Sequence, residues 1–233
     1  MTALVTGKPR LLDLFCGAGG AAVGYDRAGF DVVGVDIKPQ PNYPFTFFKA
    51  DALSILTRLI WGRDDLGPDA IHASPPCQAF VGWQNIAALR GRPNEHPNHI
   101  PAVRDLLKLT GLPYVIENIV GAPLQDAVTL CGSMFGLNVQ RHRLFESNVL
   151  LLRPTACGHT GDELGVYGKL DGRRLFTRKD GSEQRNPKDL KEASKAMGID
   201  WMDWDELREA IPPAYTEFIG RQLIRAVELA VPA

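Results

Sequence analysis

Four side chains in this sequence have the types and spacing to form a reactive centre. Cys77 directly follows Pro75 and Pro76, at the end of a short apolar run at 69–73. Each proline fixes its own φ and pushes the residue before it out of the α region, so the backbone that delivers Cys77 is stiff and extended. A thiol held on such a turn is placed for nucleophilic attack, because geometry comes before pKa. A buried structural thiol is the alternative for any single cysteine. Glu117, followed by Asn118, closes a second apolar run at 113–116. Desolvation there raises a carboxyl pKa towards what a proton donor near neutral pH needs. Arg141 and Arg143 stand two apart, so an extended backbone would put both guanidinium groups on one face. Two parallel forks can grip a carbonyl, a phosphate or a carboxylate.

These groups need a frame, and the chain supplies an alternating one. The run 10–15 is suited to a buried strand, 16–20 is a glycine-rich turn, 21–28 a helix closed by Gly29, and 30–35 a second strand ending at Asp36. This is a βαβ unit whose first turn lets a ligand approach the backbone, while Asp36 can accept hydrogen bonds from ribose hydroxyls. Gly17-x-Gly19-x-x-Ala22 also fits the relaxed dinucleotide fingerprint, so the turn alone leaves nicotinamide cofactors open. Asp13, ahead of the turn, would repel a pyrophosphate and suits a cationic sulfonium. Asp51 falls where a third strand would end, facing an adenine amino group, and it is equally a good N-cap for a helix over 52–61. Strands follow at 70–74, 113–116 and 144–152, with a helix over 100–110. Ligands of open α/β sheets gather at strand carboxyl ends, so Cys77 and Glu117 should share a crevice with the glycine turn. The irregular stretch 80–99, with Arg90, Arg92, His96 and His99, reads as a closing lid. We expect a catalytic and cofactor-binding core at 1–152. An extended or hairpin insert at 153–188, without a core of its own, leads to helices at 189–197, 204–211 and 215–231 that return to the core.

Composition bounds the rest. The chain has 233 residues, 45% hydrophobic and 23% charged, and a formal net charge of −1. One globular domain fits that length, and the charge argues against general nucleic-acid binding. A local patch at 169–195 nevertheless holds nine basic against five acidic residues. There are four cysteines, none at C-x-x-C spacing. Cys157-Gly158-His159 offers two metal ligands without an evident second pair, and Cys131 reads as packing, so no metal site is expected. Positions 1–10 lack the apolar run of a signal peptide, and no 18-residue apolar stretch exists. A cytoplasmic protein with free thiols is the expectation.

Together these residues resemble the cytosine-5 DNA methyltransferases. Asp13-Leu14-Phe15-Cys16-Gly17-Ala18-Gly19-Gly20 looks like that family's S-adenosylmethionine motif, and Pro75-Pro76-Cys77-Gln78 like its nucleophile motif. Glu117-Asn118-Ile119 is similar to its Glu-Asn-Val motif, Arg141-His142-Arg143 to its paired arginines, and 208–214 to its last motif. The resemblance implies a Rossmann-like methyltransferase fold with a mostly parallel sheet. It implies S-adenosylmethionine held by Asp13, Phe15, Gly17, Gly19, Asp36, Asp51 and Pro76. Cys77 would attack C6 of a cytosine, Glu117 would serve N3, and Arg141 and Arg143 would hold the base oxygen and the Cys77 loop. Gln78 and Asn118 would line the substrate, a double-stranded DNA whose target base leaves the stack. The sequence departs from the family at Gln140, which abuts Arg141, and at Glu209, where asparagine is usual. The recognition region between Arg143 and Lys195 is short, so specificity would be brief, relaxed or supplied by a partner. A tRNA-like RNA is the alternative substrate, and a non-catalytic nucleic-acid-binding relative the alternative class.

Overall fold

The structure, a computed structural model, describes residues 7–80, 96–161, 163–177 and 183–230. Its centre is a seven-stranded sheet built from β1 (Arg10–Leu14), β2 (Asp31–Asp36), β3 (Thr46–Lys49), β4 (Ala70–Ala73), β5 (Tyr114–Ile119), β6 (Val128–Leu130) and β7 (Arg143–Ser147). The spatial order is β3-β2-β1-β4-β5-β7-β6. The first five strands run parallel, whereas β7 pairs antiparallel with both β5 and β6. The order reverses between β1 and β4, so a crevice opens beyond their carboxyl ends. The expected Rossmann-like sheet is therefore present, with a mixed edge.

Side-chain parity sorts the strands into two cores. Leu11, Val32, Ala70 and Val115 face α1 (Gly20–Ala28) and the terminal helix. Leu12, Leu14, Val33, Val35, Ile71, Ala73, Tyr114 and Ile116 face α2 (Ala52–Ile60) and α3 (Ile100–Thr110). The near-continuous apolar strands follow from burial on both faces. Three helices complete the chain: α4 (Leu190–Met197), α5 (Trp204–Leu207) and α6 (Pro213–Ala230). Helices α1 and α6 cross so closely that a Cβ added at Gly24 would stand 2.1 Å from Thr216 Oγ1. Only glycine permits that approach, which lets Thr216 Oγ1 donate to Ala21 O at 2.8 Å.

Several boundaries differ from the sequence expectation. β6 is a three-residue strand that no period announces, and β7 ends at Ser147 rather than at 152. α5 ends at Leu207, short of the expected 211. The insert does form a hairpin, β8 (Arg174–Thr177) with β9 (Glu183–Arg185). It is not without a core, however. Leu164 and Val166 join Val139, Ala193, Met197, Ile199, Met202 and Leu207 in a third buried cluster that reaches Ala18. Most of the expected lid, 81–95, lies outside the described residues. Among the described residues no helix is long and apolar enough to cross a membrane.

The antiparallel edge is fixed by a buried ion pair. Arg104 on α3 grips Glu146 on β7 bidentately, Nε to Oε1 at 2.6 Å and Nη2 to Oε2 at 2.7 Å. Arg104 Nη2 also donates to Pro123 O, and the Gln125 amide donates to Glu146 Oε2. Removing one partner strands a buried charge, whereas replacing both with apolar residues does not. Glu146→Ala should therefore lose about 3–5 kcal/mol in denaturant unfolding, and Arg104→Met with Glu146→Leu should lose much less. Equal losses in the two proteins would show that the charge pair is not the source.

Candidate active site

The carboxyl ends of β1, β4 and β5 are tied together by backbone and side-chain bonds. The Ser74 amide donates to Leu14 O at 3.1 Å, which extends the β1–β4 ladder into the Pro75-Pro76-Cys77 turn. Asn118 Nδ2 donates to Pro75 O at 2.8 Å and holds the same turn from β5. Cys77 then opens a 3-10 turn over Gln78–Phe80, with the Phe80 amide donating to Cys77 O. Pro75 is buried, while Pro76 and Gln78 are exposed. Asn118 is only 2% exposed. Its side chain is thus engaged by the Cys77 turn and has little surface to offer a substrate.

The glycine turn stands beside it. Phe15 has φ 58°, a left-handed conformation that costs a non-glycine residue about 1–3 kcal/mol. Such strain persists where the surroundings over-determine it. Here the Cys16 amide is bound to Val35 O, and Trp201 Nε1 donates to Ala18 O from the C-terminal segment. Gly17 has φ 49°, and a Cβ built there would meet nothing within 4 Å, so the crevice is open over this residue. Gly19, also left-handed, is packed under Tyr43 and Pro44. Asp36 Oδ2 accepts from the Gly17 amide at 3.1 Å and Oδ1 from the Lys38 amide at 2.9 Å. A carboxylate has about four lone-pair sites, so this arrangement orients Asp36 and leaves it capacity for a ribose. Asp51 caps α2, its Oδ1 accepting from both the amide and the hydroxyl of Ser54 at 2.8 Å. Its carboxylate is exposed just past the end of β3.

Asp13 departs from expectation. It is fully buried, paired in register with Gly34 on one side and His72 on the other. Burial raises its pKa well above the carboxylate range, and the Tyr43 hydroxyl at 3.5 Å opposes this only in part. Fully buried, its carboxyl presents no surface to a ligand in the crevice. Asp13 instead belongs to a polar layer beneath the crevice that sequence inspection missed. Tyr25 Oη lies 2.9 Å from His72 Nδ1, and His72 Nε2 lies 2.8 Å from Ser74 Oγ. Burial pulls the His72 pKa down to about 3, so the ring is neutral. The signal was a histidine inside the strand Ala70-Ile71-His72-Ala73.

Glu117 sits at the end of that layer, 7% exposed. Burial raises its pKa, as expected; Arg143, a hydrogen bond from Ser74 and Arg141 oppose the shift. Arg143 Nε lies 3.0 Å from Glu117 Oε1. The two arginines do not form one clamp. Arg143 begins β7, whereas Arg141 precedes the strand and is 3% exposed. Arg141 Nη1 donates to Val166 O at 2.7 Å and Nη2 to Arg208 O at 2.6 Å, joining the insert to the C-terminal helices. Hydrogen bonds of a charged group contribute about 1.5–3 kcal/mol each. Burial, with Arg143 nearby, lowers its pKa to about 9, which leaves it charged at neutral pH.

Cys77 is half-buried, and burial raises its pKa above that of a free thiol. Arg143 opposes the shift, while Glu117 and Glu209 add to it. Arg143 thus favours the thiolate, but burial outweighs it. Alkylation of Cys77 by iodoacetamide, followed by peptide mass mapping, should titrate with a midpoint above the free-thiol value of about 8.5. Arg143→Ala should move the midpoint higher and Glu117→Gln lower. A midpoint below the free-thiol value would contradict these electrostatics.

Comparison with known proteins agrees with this geometry. No protein-family model matches the chain. It is 31% identical over 156 residues to the type II methyltransferase M.XorII of Xanthomonas oryzae, and 27% over 199 residues to M.AgeI of Thalassovita gelatinovora. These alignments take in 61% and 71% of the chain but only 32% and 41% of the relatives' own lengths. Among solved structures, an E. coli prophage protein described as a DNA modification methyltransferase superposes with TM-score 0.60 at 15% identity. The Dnmt2 methyltransferase of S. pombe superposes with TM-score 0.58 at 12% identity. Each superposition covers 94% of this chain and 99% of the other. The chain has the methyltransferase fold, and in sequence it is similar to part of these type II methyltransferases.

Proposed function

We propose that this chain is a DNA cytosine-5 methyltransferase that uses S-adenosylmethionine and forms a covalent adduct through Cys77. The observation that carries the reading is the convergence of a positioned thiol, a buried carboxyl of raised pKa and Arg143 beside one glycine turn. When bound, S-adenosylmethionine supplies an electrophilic methyl group. The residues that fit it are Phe15, Gly17, Gly19 and Asp36, with Asp51 and Pro76 at the margins. Open space above Gly17 and the oriented Asp36 carboxylate support this fit.

The target cytosine must leave the duplex stack to reach the crevice. Cys77 loses its proton and its sulfur bonds to C6. The displaced electron pair moves towards C5 and N3, and Glu117, whose pKa burial raises, donates a proton to N3. The C5 carbon, now nucleophilic, would accept the methyl group that bound S-adenosylmethionine supplies, the cofactor's sulfur keeping the electron pair of the broken bond. Loss of the C5 proton to a base then restores the C5–C6 double bond, the sulfur–C6 bond breaks to release Cys77, and N3 returns its proton to Glu117. Arg143 holds Glu117 in place and compensates charge near the thiol. Gln78, exposed on the same turn, would contact the base. A tRNA-like RNA is the second reading, favoured by how little chain between Arg143 and Lys195 is available to read a duplex.

Methyl transfer should appear as 5-methylcytosine when duplex DNA incubated with the protein is digested and its nucleosides are weighed. Cys77→Ser should abolish the product, and Glu117→Gln should slow its formation by about 10²–10⁴-fold. Methylation of an exocyclic amine instead would overturn the reading. Product in RNA alone would transfer it to the second substrate.

A further inference from the structure

Four potential metal ligands that are far apart in sequence meet on the side of the sheet edge away from the glycine turn. Cys131 follows β6, His142 precedes β7, and Cys157 and His159 lie on the segment that leaves the core. The antiparallel register explains the first pair. Leu130 is opposite Arg143, so the next step along the two strands brings Cys131 opposite His142. The second pair is two residues apart, which on an extended segment puts both side chains on one face. One donor atom from each of the four lies within 4.8 Å of all the others.

The distances have the size of a coordination polyhedron. Cys157 Sγ lies 3.4 Å from His142 Nε2 and 2.9 Å from His159 Nε2. His159 Nε2 lies 3.4 Å from His142 Nε2 and 3.8 Å from Cys131 Sγ. Metal–sulfur bonds of about 2.3 Å and metal–nitrogen bonds of about 2.0–2.1 Å imply tetrahedral edges of about 3.3–3.8 Å. Both imidazoles offer the same nitrogen, Nε2, to the centre. On the far side His159 Nδ1 is buried, unmatched by any hydrogen bond, and 3.5 Å from Glu163 Oε1. Glu163 is itself fixed by the amides of Thr160 and Gly161 at 2.6 and 3.1 Å. A carboxylate behind a ligating histidine is the usual outer support of a zinc site. Ser133 Oγ, 3.4 Å from Cys157 Sγ, can donate to a thiolate.

We propose that Cys131, His142, Cys157 and His159 bind one zinc ion in a closed, structural Cys₂His₂ site. The donor set and four-fold closure favour zinc and leave no position for a substrate. The expectation of no metal, and of Cys131 as packing, is thereby revised. His142 lies between Arg141 and Arg143, so the ion clamps the root of the insert to the backbone that carries both arginines. The inference rests on this cluster alone and holds whichever nucleic acid is the substrate.

Untagged full-length chain from zinc-supplemented cells should contain about one zinc per chain by elemental mass spectrometry. Cobalt(II) exchange should give sulfur-to-cobalt charge transfer and the intense visible bands of a tetrahedral ion. Cys157→Ala and His159→Ala should each lower zinc to below about a tenth of an equivalent. Cys77→Ser should keep the metal, and so should His159→Cys, which preserves four ligands. Wild-type protein with neither zinc nor the cobalt bands would overturn the proposal. So would a Cys131–Cys157 disulfide found by mass spectrometry, or zinc retained undiminished in Cys157→Ala and His159→Ala.

Discussion

The site depends on a lateral ladder between the carboxyl ends of β1, β4 and β5. Parallel strands in register place residues of like parity side by side, and here Asp13 lies opposite His72, which lies opposite Val115. Glu117, two residues beyond Val115, therefore falls on the same face. The Ser74 amide bound to Leu14 O, and Asn118 bound to Pro75 O, carry that register past the last strand residues. The Cys77 turn inherits its position from the sheet rather than from a loop free to move. Positions near strand ends can thus be held closely enough for chemistry.

Burial of this polar face has a consistent electrostatic result. Asp13 and Glu117 shift up, His72 shifts down, and each shift has desolvation as its largest cause. The layer is driven towards neutrality except where Arg143 and Arg141 supply charge. Burial moves the Glu117 carboxyl towards the range in which a proton donor operates, against the pull of Arg143. Cys77 meets the same desolvation, which raises its thiol pKa. One physical cause thus acts on both groups.

What the sequence revealed followed from pattern length. The run 10–36 carries strand, turn, helix and strand periods in succession, so β1, α1, β2 and Asp36 were legible to within a residue or two. The Pro-Pro-Cys turn and Glu117 were legible because they terminate apolar runs. β6, with only Val128, Thr129 and Leu130, is too short to show a period. Asn118 and Arg141 were assigned to substrate because their types permit it; their burial and their carbonyl partners are tertiary facts. The cluster of Cys131, His142, Cys157 and His159 was illegible for a related reason. Its first pair meets only through the β6–β7 register, which requires knowing that β6 exists. Leu164 and Val166, isolated in a polar stretch, became core residues only once α4 and α5 lay against them.

The central claim is that Cys77 bonds covalently to C6 of a cytosine. The direct measurement uses a duplex with 5-fluorocytosine at target positions, incubated with the protein and S-adenosylmethionine. Fluorine at C5 cannot leave as a proton does, so the reaction should stop at the adduct. Intact-mass and peptide analysis should then find one methylated strand attached at Cys77, and none with Cys77→Ser. Absence of an adduct on a duplex in which the unfluorinated base is methylated, or attachment that survives Cys77→Ser, would contradict the account.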